Sequence, residues 1–211
     1  MQKSITLIEL LISLVLIGVV ILAVFGIYNA SSGFFTSSDT KSEVLNEMAY
    51  LLDHIDKNVY KATGWVNNKA VDVDRTNAPD RFEISINQDI DRYGNRNETP
   101  INFSDDTVVS YHFNTTDAEY TTSSGHTIKP HTVAFIDHED NLHKLTNRLV
   151  QNPRAQLNIP TYDVDEGILT INNLFLCYDP EDYDPVDPDQ RNNPTIEATS
   201  QRFSTSMQSL N

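Results

Sequence analysis

Residues Ile5 to Tyr28, ITLIELLISLVLIGVVILAVFGIY, form an apolar run that carries one charge, Glu9. From Leu10 through Ser38 no side chain is an acid or a base. As a helix rising about 1.5 Å per residue, the run is roughly 36 Å long, enough to cross a hydrocarbon layer of about 30 Å. It is therefore expected to span a membrane, and the rest of the chain has to fold beyond it.

Glu9 makes the run informative. A carboxylate in hydrocarbon costs about 2.5–3.5 kcal/mol on insertion scales unless it is partnered. The nearest cation in sequence, Lys3, can snorkel to the headgroups by itself. Taken alone, these residues also fit a signal anchor in which Glu9 sits idle near the interface. A cleavable secretory signal fits worse: its basic region would be Met-Gln-Lys, and Tyr28 stands where the sequence IYNAS would need a small residue. The Arg-poor start does not fit a transit peptide.

The string Lys3-Ser4-Ile5-Thr6-Leu7-Ile8-Glu9-Leu10-Leu11 resembles the class III signal of type IV prepilins and type II secretion pseudopilins. In that family a prepilin peptidase cuts on the cytoplasmic side after the small residue and the new terminus is methylated. The resemblance implies cleavage between Ser4 and Ile5, N-methylation of Ile5, and Glu9 as the fifth mature residue. The sequence departs from the family pattern at Ser4, usually Gly, and at Ile5, usually Phe. The resemblance also implies a partner for Glu9: the terminal amine of an adjacent subunit, with an ordinary pKa near 8. A charge that is costly alone then sets the register between neighbours, and Thr6 is expected to add a hydroxyl hydrogen bond to the pair.

Composition bounds the remainder of the chain. In 211 residues the formal charge is −15, and all of that net charge lies from Asp39 onward, because Lys3 and Glu9 cancel. Such an acidic region repels phosphate backbones and argues against nucleic-acid binding. The single cysteine, Cys177, has no partner for an internal disulfide and ends an apolar strand, so it reads as a small core residue.

In chain order, Ser31-Ser32-Gly33 is the expected break in the helix. Apolar periodicity resumes at Val44, Met48, Leu51, Leu52, Ile55 and Val59, with Ser38 or Asp39 as cap and Gly64 as terminator. Beyond Gly64 the period becomes two. Strands are expected at Arg81 to Asn87, Thr107 to Phe113, Thr132 to Asp137, Leu142 to Val150, Ile168 to Tyr178 and Arg202 to Leu210, with a hairpin turn at His138-Glu139-Asp140-Asn141. The expected fold class is α+β: a long N-terminal helix, membrane-spanning in its first half and amphipathic in its second, against an antiparallel sheet, which is the plan of the pilin fold. The expected division is a leader at 1–4, a transmembrane and polymerisation helix at 5–30, an amphipathic helix at 31–64 and a β-rich head at 65–211. The runs VAFIDHEDNLHKLTNRL and RFSTSMQSLN are most similar to PilW-type minor pilins and J-type pseudopilins.

Enzyme signatures are missing from the sequence. The seven glycines are scattered and make no phosphate-cradling loop, and there is no nucleophile elbow. His126, His131, His138 and His143 match no zinc spacing and are expected to be solvated. The run Asn87-Gln-Asp89-Ile-Asp91 has alternating oxygen ligands but lacks the rest of an EF-hand. Asp179 to Asp189 packs six acids and three prolines into eleven residues. It reads mainly as a solvated loop, with Asp182, Asp184 and Asp187 as candidate calcium ligands and no other cofactor expected. The Asn-x-Ser/Thr triplets at Asn29, Asn97, Asn102 and Asn114 are those expected by chance in an Asn- and Thr-rich chain.

The resemblance implies a non-enzymatic filament subunit: a bacterial minor pilin that primes assembly. Its implied partners are other pilins or pseudopilins, prepilin peptidase and an inner-membrane assembly platform. The implied location is single-pass in the inner membrane with the head in the periplasm, then in the filament. A minor pseudopilin of a type II secretion system shares every N-terminal feature. A signal-anchored periplasmic binding module remains as a reading of another class.

Overall fold

A computed structural model describes residues 6–62, 70–74, 81–88, 107–151, 160–186 and 193–205. The described residues contain one α-helix, α1 (Leu7–Tyr60), and ten strands: β1 (Val71–Asp74), β2 (Arg81–Gln88), β3 (Thr107–Asn114), β4 (Tyr120–Thr121), β5 (Thr127–Ile128), β6 (Thr132–Ile136), β7 (Leu142–Thr146), β8 (Thr161–Asp163), β9 (Ile168–Cys177) and β10 (Thr195–Ser204). The architecture is α+β and pilin-like: one long N-terminal helix and antiparallel sheets. Contacts divide the chain into two units, Met1–Thr40 and Lys41–Asn211.

In the first unit every large apolar side chain from Leu7 to Tyr28 is exposed, from 52 % at Ile12 to 84 % at Leu7. A helix that is apolar all round has no water-facing side, so it needs lipid or other helices as surroundings. The segment is long and apolar enough to cross a membrane. The expected break at Ser31-Ser32-Gly33 is absent, and α1 continues through it. The hydroxyls are accommodated within the helix. The Thr36 hydroxyl donates to the Ser32 carbonyl at 3.0 Å and Thr40 to the Thr36 carbonyl at 3.1 Å, so the polar side chains bond back onto the helix instead of capping a new one. Neither Ser38 nor Asp39 therefore starts a helix.

In the second unit α1 buries Val44, Met48, Leu51, Ile55 and Val59. Their spacing of three and four places them on one face, and each contributes about 1.5–3 kcal/mol by leaving water. That face meets the five-stranded sheet β1-β2-β3-β6-β7. The period-two residues Phe82, Ile84 and Ile86 of β2 and Val109, Tyr111 and Phe113 of β3 line the same core. The described part of α1 ends at Tyr60, earlier than expected, and Gly64 lies outside the described residues.

A second sheet, β10-β9-β8, contributes Leu169, Ile171, Leu174, Leu176, Ala198 and Phe203 to the same core. The short segment after β7 ties the sheets together. The Leu149 N–H donates to the His131 carbonyl, the Val150 N–H to the Phe175 carbonyl, and the Cys177 N–H to the Arg148 carbonyl. Arg148 adds a charge-assisted hydrogen bond of 2.8 Å to Glu43 on α1, with its guanidinium 4.8 Å over the Tyr178 ring. The expected strand from Leu142 to Val150 thus ends at Thr146 and becomes a connector.

The last strand also differs from expectation. β10 runs Thr195–Ser204 because it pairs antiparallel with β9, from Thr195 opposite Cys177 to Ser204 opposite Ile168. Residues 206–210 of the expected strand lie outside the described residues. The turn at 138–141 forms as expected. Asp140 takes a φ of 63°, and the Asp137 carboxylate accepts the N–H groups of Glu139 and Asn141.

Cys177 is fully buried, and burial pushes its thiol up to about 12. The thiolate is the reactive species. A thiol reagent should therefore leave the native protein unlabelled at pH 8 and label it fully in denaturant. Labelling at equal rates in both conditions would contradict this environment.

Candidate functional site at the helix N-terminus

Thr6 precedes the first helical residue, Leu7, and Glu9 lies three residues on. The Thr6 backbone N–H and the Thr6 hydroxyl both donate to Glu9 Oε2 at 2.9 Å. The Glu9 N–H points back to the Thr6 hydroxyl at 3.4 Å. This is a capping box, in which the first donors of a helix are satisfied reciprocally by a Thr and a Glu three residues apart. The acid also stands at the positive end of the helix dipole. One turn on, the Ser13 hydroxyl donates to the Glu9 carbonyl at 2.7 Å.

Within the chain Thr6 thus bonds Glu9 itself, a contact distinct from the one expected at the pair between subunits. The spacing T-x-x-E is the sequence signal for it, whereas the family resemblance implies only a bond shared with a neighbouring subunit. The cap has a chemical consequence. It orients the carboxylate and gives it two donors, yet it supplies no cation. Lys3, Ser4 and Ile5 lie outside the described residues.

The other candidates are dispersed. Asp184 Oδ1 accepts the Val186 N–H, Asp179 Oδ1 accepts the Glu181 N–H, and Asn193 clasps Asp179 through two bonds of 2.6 and 2.7 Å. The acidic loop therefore closes on its own backbone. Among the described residues no three acidic, histidine or cysteine side chains gather as a metal site. Asp182 belongs to no such group, and Asp187, like Asp89 and Asp91, lies outside the described residues.

The four clustered histidines are paired where solvation alone was expected. His126 lies 3.0 Å from Asp140, His131 3.1 Å from Asp117, His143 2.8 Å from Asp137, and His138 3.9 Å from Glu139. The acidic surplus of the chain places a carboxylate near each ring; that of His138 is its sequence neighbour, and those of His126 and His131 are brought up by the fold.

Two polar groups are built into the sheet. On the helix side the Tyr111 hydroxyl donates to the His54 carbonyl at 3.0 Å and accepts from Asn58 Nδ2 at 2.7 Å. The His54 ring packs 4.8 Å from Phe135. On the opposite side Ser110, His112 and Glu83 stand in the order of a nucleophile, base and acid. His112 Nε2 is 2.9 Å from the Ser110 hydroxyl. The relay fails at the second link: His112 Nδ1 is 3.6 Å from Glu83 and shares its position with the Tyr120 hydroxyl at 3.2 Å. With His112 only 1 % exposed, the group reads as a satisfied buried layer.

Residues 1–25 match the family described as the prokaryotic N-terminal methylation motif. No curated protein and no solved structure matches the chain. The N-terminus is therefore a type IV prepilin-like class III signal, of the kind that prepilin peptidase processes and that accompanies assembly with other pilins.

Proposed function

We propose, from that signal at the head of an α+β pilin-like chain, that this protein is a minor type IV pilin, a structural subunit that helps to prime pilus assembly. The observation that carries the reading is Glu9: an acid held by Thr6 at the mouth of the exposed apolar stretch Leu7 to Tyr28, which carries no other charge. Cleavage between Ser4 and Ile5 creates an α-amino group, which methylation leaves basic. In the filament the Glu9 of one subunit exchanges its cap for the Ile5 ammonium of the next. In this reading residues 1–4 are the leader, the first half of α1 is the membrane and polymerisation segment, and residues from 65 onward form a periplasmic head. Assembly then draws the subunit out of the inner membrane through its platform.

Mass spectrometry of the N-terminal peptide, with and without prepilin peptidase, tests this. The expected mature terminus is N-methylated Ile5 in the presence of the peptidase and Met1 in its absence. An intact Met1 in both samples would overturn the reading. Co-purification with secretion components instead of pilus components would reassign the subunit to a type II secretion pseudopilus.

A further inference from the structure

The head also contains a polar cleft unrelated to the helix N-terminus. It is a cavity of about 190 Å³ between the ends of β1 and β2 and the β4–β5 hairpin, lined among others by Asp74, Arg81, Glu83, Tyr120, Thr121 and Ser123. This is smaller than the drug-sized sites of about 300–1,000 Å³ and suits a single small ring.

Its charges constrain the ligand. The Arg81 guanidinium lies 5.0 Å over the Tyr120 ring, its Nε is buried with no hydrogen-bond partner, and no ion pair engages it among the described residues. A cation is repelled by that group. An anion meets Asp74 and Glu83 in the same cleft and the −15 charge of the chain. Burial and the neighbouring Asp74 raise the pKa of Glu83, and its carboxyl oxygens serve as acceptors at the cleft wall. Thr121 and Ser123 bring hydroxyls on an exposed hairpin, and Tyr120 brings an aromatic wall.

We propose that this cleft binds one neutral sugar residue. A sugar ring offers hydroxyls that both donate and accept, which matches a guanidinium, carboxyl groups and hydroxyls around one ring. It carries no charge for either sign of group to reject, and its C–H face suits the tyrosine. Recognition through several neutral or singly charged hydrogen bonds gives weak binding, with Kd on the order of 1 mM.

The full-length chain in micelles of a sugar-free detergent is titrated with the methyl glycosides of glucose, galactose and N-acetylglucosamine. Inorganic phosphate and ethanolamine serve as anionic and cationic probes. At least one glycoside is expected to shift the amide signals of Thr121 to Ser123 and to saturate. Arg81→Gln is expected to weaken it at least about tenfold. Thr121→Val, an exposed change that spares the fold, is expected to weaken it several-fold, whereas Arg202→Ala on the other sheet leaves it unchanged. Glu9→Gln should also leave it unchanged, which separates this site from the assembly reading. Absence of any glycoside response on the order of 10 mM, or a response to phosphate or ethanolamine in preference to the glycosides, overturns the proposal. An unaltered response in both the Arg81 and Thr121 variants does the same.

Discussion

Glu9→Gln is expected to remove the protein from the filament while its head folds normally. The capping box makes this substitution more telling than Glu9→Ala. Glutamine at the third helical position still accepts from Thr6, so the helix start survives and only the charge is lost. Breaking a desolvated ion pair by removing one partner costs about 3–5 kcal/mol, and each 1.4 kcal/mol is about tenfold. Incorporation, read by immunoblotting of sheared filaments against membranes, should fall at least about 100-fold for Gln as for Ala. If Gln assembles like the native protein and Ala does not, the cap alone accounts for Glu9. The paired-charge mechanism would then be wrong.

Acidification is expected to destabilise the head between pH 6.5 and 4. Burial of His112 pushes its pKa down to about 4, with a smaller push from His126, and burial likewise lowers His54, whose ring is packed against Phe135. The unfolded chain, with histidines near 6.5, then takes up protons before the folded one. The stability that neutral His112 contributes is complete above pH 6.5 and is lost as pH falls through 4. At 1.36 kcal/mol per pKa unit the His112 part is about 3 kcal/mol.

Two carboxyl groups, Glu83 beside His112 and Asp137 beside His143, set the controls. Glu83, at 3.6 Å, has a raised pKa, so its own contribution grows as pH falls and opposes the loss. Asp137 is held below the carboxylate range by the His143 ring and by backbone N–H groups, and its window opens below pH 3.8. Urea midpoints at pH 7, 5.5 and 4.5 should therefore decline steadily, more steeply in Glu83→Gln and less in His112→Gln. A flat profile across this range, or an equal slope without His112, would refute the assignment.

The places where expectation and structure part share one property. Helical and strand periodicity is written within a dozen neighbouring residues, so the five inward residues of α1 and the alternation Phe82, Ile84, Ile86 were legible directly. Ser31 to Gly33 misled because the same hydroxyls serve as caps or as back-bonders, and isolated residues do not say which. The short strands β1, β4, β5 and β8, of two to four residues each, carry too few positions for a period to register.

The local pattern of the chain determined an uncharged span, a Thr–Glu cap, an amphipathic continuation and an antiparallel, acidic, cysteine-poor head. Only the tertiary structure decided that β6 lies beside β3, that Leu149 and Val150 join two sheets, that His126 and His131 meet Asp140 and Asp117, and that Arg81 and Tyr120 wall a cleft. The reason is physical. Hydrophobic periodicity is a property of adjacent residues answering to one solvent boundary. Strand order and charge pairing depend instead on contacts between residues far apart in the chain, which are chosen by the closing of a shared core.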